Sequence, residues 1–170
     1  PLKKKYEHFF IIPAYAEQLY LEQTLDSINQ QKKQLLNKTL VVIVINNSEK
    51  DNQEIKNNNK ETYEKIITLN YNFEFIVIDC FSTHYALPEK ISGVGLARKI
   101  GIDYCLPFSK IDSLFFSLDA DTLIHKNYLE TIIKEYQKED FGAAVINFKH
   151  QNNNDPKIQE AIIKYENLLK

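Results

Sequence analysis

The sequence predicts an α/β fold, a Rossmann-like and mainly parallel sheet with helices on both faces. Two observations carry this. Short apolar runs alternate strictly with stretches that place apolar residues at helical spacing, the pattern of successive β-α units. The run TLVVIVIN, 39–46, is apolar on both alternating faces, as a strand covered by helices on both sides requires.

The elements follow in order. FFIIP, 9–13, reads as a buried strand closed by Pro13. EQLYLEQTLDSINQQ, 17–31, sets Leu21, Leu25 and Ile28 on one helical face. TLVVIVIN is the second strand. EIKNNNKETYEKIITL, 54–69, is a mostly polar helix with Ile55, Tyr63, Ile66 and Ile67 as its apolar side, and an interruption is expected at Asn57-Asn58-Asn59. FEFIVIDC, 73–80, is a third strand, followed by a loop over 81–92 that carries Pro88. VGLARKIGIDYCL, 94–106, is a helix entered through Ser92-Gly93. SLFFSL, 113–118, is a strand and KNYLETIIKEYQK, 126–138, a helix. GAAVINF, 142–148, is expected as a fifth strand, before an Asn-rich loop and a closing amphipathic helix.

At 170 residues the chain suits one domain, 1–170, and no internal repeat is visible. The formal charge of −2 gives no basic footprint for nucleic acid. No run of about 18 apolar residues is present to span a membrane, and no signal-peptide pattern opens the chain. Cys80 and Cys105 form no Cys-x-x-Cys pair and read as free, buried thiols of a reducing compartment, with a single disulfide as the alternative. The expected location is cytoplasmic, with membrane association in a longer protein left open. The chain begins with Pro, contains no Met and closes on PKIQEAIIKYENLLK without a cap. It is therefore expected to be the N-terminal part of a longer protein.

In open α/β sheets, ligands bind beyond the carboxyl ends of the strands. That rule selects Ala14 to Ala16, Asn46 to Ser48, Asp79 to Tyr85, and Asp119-Ala120-Asp121. The Gly-bounded entry to the 94–106 helix can face the same edge, and its free N–H groups suit phosphate. Asp119 and Asp121 stand one residue apart after a strand, so their carboxylates can converge. Such oxygens suit Mg²⁺ or Mn²⁺, which complete their shells with water and diphosphate oxygens. Taken alone, Asp-x-Asp is more often a polar turn that caps the next helix than a cation site. Other chemistries lack their motifs: there is no dinucleotide fingerprint, no Walker A lysine and no Gly-x-Ser-x-Gly elbow. His8, His84, His125 and His150 are scattered, and only His84 falls on the expected ligand edge.

Four segments together resemble family 2 glycosyltransferases of the GT-A fold. FFIIPAYAEQLYLEQTLDSI is similar to that family's opening strand and helix, and VVIVINNSEKDN to its second-strand segment. GVGLARKIGI is similar to its Gly-x-x-x-Ala-Arg-Asn-x-Gly-Ile helix, and FFSLDADTLIHKNYLETI to its Asp-x-Asp strand end. The segments occur in the family's order across residues 9–133. The resemblance implies a nucleotide-diphospho-sugar donor, a divalent cation (Mn²⁺ or Mg²⁺) and an acceptor that is a glycan, lipid or protein. It implies that Pro13, Ala14 and Tyr15 flank the base and that Asn46 stands where an acid usually reads the base edge. Arg98 would lie near the base and diphosphate, Asp119 near the ribose and metal, and Asp121 on the metal, with Glu17 and Asp51 as supporting acids. Asn46 in place of Asp, Ser48-Glu49 in place of a Gly-Ser turn, and Ala16 and Lys99 in place of Asn are departures. The general base of such enzymes comes from a later region, so it is expected beyond Lys170; none of Asp140, Asp155 or Glu160 sits in the matching motif. Two rival readings are a non-catalytic nucleotide-binding or scaffold module of the same fold, and a sugar nucleotidyltransferase. The second lacks its Gly-rich first loop here.

Overall fold

The computed structural model describes residues 4–139, 141–151 and 154–168. The chain divides into two compact units, Pro1–Glu135 and Tyr136–Lys170.

The first unit is built on four parallel strands, β1 (Tyr6–Ala14), β2 (Thr39–Asn46), β3 (Glu74–Cys80) and β4 (Ser109–Ser117), in the order β3-β2-β1-β4. Helices α1 (Leu21–Asn29), α2 (Lys33–Leu36), α3 (Gln53–Ile66) and α4 (Val94–Cys105) connect them, and α5 (Tyr128–Lys138) follows β4. The alternation of side chains along β1 and β2 feeds two separate cores. Phe10, Ile12, Val41, Ile43 and Ile45 face Leu21, Leu25 and Ile28 of α1, with Leu36, Ile66 and Leu129. Phe9, Ile11, Leu40, Val42 and Val44 face α4 through Ala97 and Cys105. The sheet is thus covered on both faces, and every residue of β2 is buried. Each fully buried Leu, Ile or Phe contributes about 1.5–3 kcal/mol, so the two cores dominate the stability of this unit. Phe10 stacks on Phe116 and Phe9 on Phe115, at 5.0 and 4.8 Å, which ties β1 to β4 on both faces.

Pro13 does not close β1; it pairs in register with Val44. Its missing N–H costs no ladder bond. The carbonyl of Ile11 accepts from Leu118 of the β4 side, so Pro13, two residues on, turns its nitrogen the same way, past the last β4 partner at Ile11–Ser117. β4 starts four residues earlier than its apolar pattern implies. Its first half, Ser109 to Asp112, is exposed from Lys110 on and joins the sheet through Tyr6–Ser109 and an irregularity before His8.

Two further expectations change. Helix α3 runs unbroken through Asn57-Asn58-Asn59, capped by Asn52, whose side chain accepts from the Ile55 N–H at 3.0 Å. The 142–148 run forms no strand, and Val145 is 95% exposed. Its composition suits a pleated, half-buried surface, and strand propensity is expressed only where a neighbour supplies that surface and its ladder. In the second unit α6 (Pro156–Leu168) is present, and Glu166 accepts from the His150 N–H at 2.8 Å. Cys80 and Cys105 are free and buried, and burial pushes the Cys105 thiol up to about 12.

Gly101 is the closest approach of α4 to the sheet. A Cβ there would lie 2.6 Å from Ile11 Cγ2 and 3.2 Å from Val44 Cγ2. Gly101→Ala is expected to destabilise the unit by about 1–3 kcal/mol despite alanine's better helix propensity, because α4 must lift off β1. A fall in the urea midpoint at unchanged m-value checks this.

Candidate functional site

The carboxyl ends of β1, β2 and β4 and the entry to α4 surround one cleft of about 540 Å³. β1 and its loop supply Pro13, Tyr15 and Glu17; β2 and its loop supply Asn46, Ser48 and Asp51. Ser92, Gly93 and Val94 form the wall at the start of α4, and Asp119, Ala120 and Asp121 the wall beyond β4. Most of the site residues expected from sequence therefore meet in one place. Two do not line it. Ala14 is fully buried at the end of β1 and packs in the core. Arg98 reaches the site indirectly, through an ion pair with Asp119. His84 is exposed and lies outside the lining.

The β1 loop is held in an unusual shape. Ala16 has φ 57°, the left-handed region that a Cβ disfavours. Its N–H donates to Asn59 Oδ1 at 2.9 Å, and the Gln18 N–H donates to Asn58 Oδ1 at 3.3 Å. Asn59 is fully buried and also donates from Nδ2 to the Asn46 carbonyl (3.0 Å) and to Asn47 Oδ1 (2.9 Å). One side chain on α3 thus fastens the loops after β1 and β2 to each other. Ala16→Gly is expected to stabilise the protein by about 1 kcal/mol, since glycine adopts this φ without the steric cost. Thermal melting of the variant checks it.

The β2 loop is ordered by its own acid. Asp51 Oδ2 accepts from the Ser48 N–H at 2.7 Å, and Ser48 Oγ accepts from the Lys50 N–H at 3.2 Å. Burial raises the Tyr15 hydroxyl pKa, and the Asp51 carboxylate beside it raises it further. The loop after β3 docks on the same segment. Leu87 N–H donates to the Asn47 carbonyl and Glu49 N–H to the Leu87 carbonyl, both at 2.9 Å. Asp79 turns that loop by accepting from the N–H groups of Phe81 and Ser82 at 3.0 and 2.9 Å. Asp79 therefore serves the fold there, not the cleft.

The Asp-Ala-Asp segment is anchored from α1. Thr24, fully buried, donates its hydroxyl to the Ala120 carbonyl at 2.7 Å. Ser27 Oγ accepts from the Ile124 N–H at 3.2 Å, and Gln31 bridges the His125 carbonyl and the Leu129 N–H at 3.0 Å each. Thr24 and Ser27 sit among the apolar positions of α1, and Gln31 follows its end. With its backbone fixed, Asp119 pairs with Arg98 Nη2, while Arg98 Nε is buried without a hydrogen-bond partner. Burial raises the Glu17 carboxyl pKa, and the charges of Asp121 and Asp119 raise it further. Negative potential is thus concentrated at this end of the cleft.

That concentration fits a cation in charge and donor type. Among the described residues no group of three or more His, Cys, Asp or Glu side chains is arranged to hold a metal ion. A cation here would rest on Asp119 and Asp121 and take its other oxygens from ligand and water. Gly93 has φ 146°, in the region that favours glycine, and opens α4 beside the cleft without a side-chain cap. Among the described residues no helix is long and apolar enough to cross a membrane.

Comparison with known proteins completes the picture. No curated protein matches the chain. Among solved structures it is similar to S. aureus TarS 1-349 in complex with UDP-GlcNAc, with a TM-score of 0.55 and 18% identity over 88% of this chain and 36% of that one. It is similar also to TarS 1-349 in complex with UDP, with a TM-score of 0.53 and 18% identity over 88% of this chain and 37% of that one. At this identity the likeness shows the fold, the α/β architecture of GT-A glycosyltransferases, and the chain spans little more than a third of those structures. The model of the family described as Glycosyl transferase family 2 matches residues 9–169. Nearly the whole chain is covered, and the protein belongs to the family 2 glycosyltransferases.

Proposed function

We propose that residues 1–170 are the donor-binding part of a longer, metal-dependent glycosyltransferase that moves a sugar from a nucleotide-diphospho-sugar to an acceptor hydroxyl. The observation that carries this reading is one cleft, in a family 2 chain, that joins Tyr15 and Asn46 to Asp119 and Asp121. Tyr15 offers a ring to the base. Asp119 is aligned by Arg98 for ribose and cation, and Asp121 is the second cation ligand. Arg98 also carries positive charge towards the diphosphate. A bound Mg²⁺ or Mn²⁺ supplies Lewis-acid neutralisation of the leaving nucleoside diphosphate. The chain's own residues contribute positioning, which converts an encounter into an oriented attack. None of these cleft residues is assigned as the proton acceptor for the attacking hydroxyl. TarS crystallised with UDP-GlcNAc makes UDP-sugars the first donors to try.

Calorimetric titration of the chain with UDP, GDP, CDP and dTDP, with and without Mg²⁺ or Mn²⁺, tests the reading. At least one nucleotide should bind, and more tightly with the metal. Binding by none of them, in either condition, refutes it.

A further inference from the structure

Asp119 and Asp121 stand on a tight turn. The Thr122 N–H donates to the Asp119 carbonyl at 3.1 Å, which makes Ala120 and Asp121 the two central residues of a β-turn. The peptide between the central residues is the movable part of such a turn. Type I and type II turns share their ends and differ by a flip of that peptide, through ψ of the first central residue and φ of the second. Because Asp121 is the second, a flip would swing its side chain relative to Asp119. Among the described non-glycine residues only Ala16 has a positive φ, so Asp121 stands on the type I side of that choice.

The group that holds this peptide comes from α1. The peptide's oxygen is the Ala120 carbonyl, and it accepts from the Thr24 hydroxyl at 2.7 Å. Thr24 is fully buried and Ala120 is 3% exposed. A flip would carry the carbonyl away from its donor and leave a buried hydroxyl unpaired, which native interiors rarely allow. Thr24 is itself fixed in its helix: its N–H donates to the Tyr20 carbonyl at 3.2 Å, and its carbonyl accepts from Ser27 Oγ at 2.7 Å. Thr24 lines no part of the cleft, whereas both acids that flank Ala120 do.

Building on the donor-binding reading above, we infer that Thr24 is a positioning residue for the cation. By locking the Ala120–Asp121 peptide it keeps the Asp119 and Asp121 carboxylates in one fixed relation, and so makes the site prefer Mg²⁺ or Mn²⁺ to Ca²⁺. Mg²⁺ is small and demands near-ideal octahedral geometry, and Mn²⁺ takes the same octahedral oxygen shell. Ca²⁺ accepts longer bonds and a more variable shell, so flexible ligands suit it. A locked pair of carboxylates is already ordered for the smaller ions and cannot spread for the larger one. A loosened pair must be ordered on binding Mg²⁺ and can adapt to Ca²⁺. The selectivity therefore resides in a hydroxyl that touches neither cation nor nucleotide.

The test is titration of the full chain with whichever of UDP, GDP, CDP and dTDP binds wild type most tightly, in Mg²⁺, Mn²⁺, Ca²⁺ and EDTA. Wild type should bind about tenfold or more tightly in Mg²⁺ or Mn²⁺ than in Ca²⁺. Thr24→Val, similar in shape and without the hydroxyl, should lose about 10–100-fold in Mg²⁺ and Mn²⁺, as expected when a group that orients a metal ligand is removed. Its loss in Ca²⁺ should be about threefold or less, and its binding in EDTA unchanged. Thr24→Ser keeps the hydroxyl and should match wild type within about threefold. Thr39→Val is the control for stability. It deletes an equally buried hydroxyl, which donates to the Leu35 carbonyl at 2.9 Å at the amino end of the sheet, and should leave all four titrations unchanged. Should Thr24→Val not fold, Thr24→Ala against Thr24→Ser decides, because those two differ by the hydroxyl alone. Equal losses in Mg²⁺, Ca²⁺ and EDTA, no loss in Mg²⁺, the same losses in Thr39→Val, or a wild type indifferent to the choice of cation overturn the inference while leaving donor binding intact. Failure of every nucleotide to bind wild type overturns both.

Discussion

Asp121→Ala is expected to abolish the metal-dependent part of nucleotide binding while sparing the metal-independent part. Removing a residue that merely orients a metal ligand costs 10–100-fold in affinity. If Asp119 and Asp121 hold the cation as proposed, loss of one of these two carboxylates should exceed that, at about 100-fold or more in Mg²⁺. In EDTA the same variant should bind nucleotide as well as wild type or better. It has lost a negative charge close to Asp119 and Glu17, whose carboxyl pKa is raised by burial and further by the charges of Asp121 and Asp119. Paired titrations in Mg²⁺ and EDTA make this comparison. Equal losses in both conditions would assign Asp121 a structural role. Asp103→Ala, which removes the exposed Lys99–Asp103 pair on α4, is the control and should leave both titrations unchanged.

The second large effect is on stability. Asn59→Ala leaves three groups without their partner: the Ala16 N–H, the Asn46 carbonyl and Asn47 Oδ1. Each buried unsatisfied group costs about 1–3 kcal/mol, and relaxation of the two loops recovers part of it, so a net loss of about 3 kcal/mol is expected. Asn59→Asp distinguishes hydrogen bonding from packing. It keeps an acceptor for Ala16 but turns carboxylate oxygen on two other oxygens, so it should be at least as destabilising as alanine although its size is native. Urea unfolding of the two variants gives the comparison. An aspartate variant as stable as wild type would show that these bonds contribute little. Because the same bonds hold Ala16 and Asn46 beside the cleft, both variants should also weaken nucleotide binding.

The cleft residues were legible in the sequence because strand ends are legible. Once TLVVIVIN and SLFFSL read as strands, Asn46, Asp119 and Asp121 had to fall at the carboxyl edge; Glu17, expected as the first residue of the 17–31 helix, lies instead in the loop before α1, which starts at Leu21. Asn59 was not legible. It lies in a polar triplet that suggested a break in α3, and its worth comes from partners 12, 13 and 43 residues away. Thr24, Ser27 and Gln31 were hidden for the same reason. Thr24 and Ser27 face inward among the leucines of α1 and Gln31 is buried just past its end, and their acceptors and donors come from the segment after β4, roughly a hundred residues on.

The sequence by itself determined the alternation of strands and helices, the parallel sheet covered on both faces, and the set of residues along its carboxyl edge. These depend on local periodicity and on general rules of chain connection, which a single segment or its neighbour expresses. Only the tertiary structure decided that 142–148 does not pair as a strand, that Ala16 is held left-handed, that Arg98 turns to Asp119, and that Asn59 binds Asn47. Each of these turns on a partner distant in the chain, and a ladder, an ion pair or a buried hydrogen bond exists only when folding brings its second half into reach.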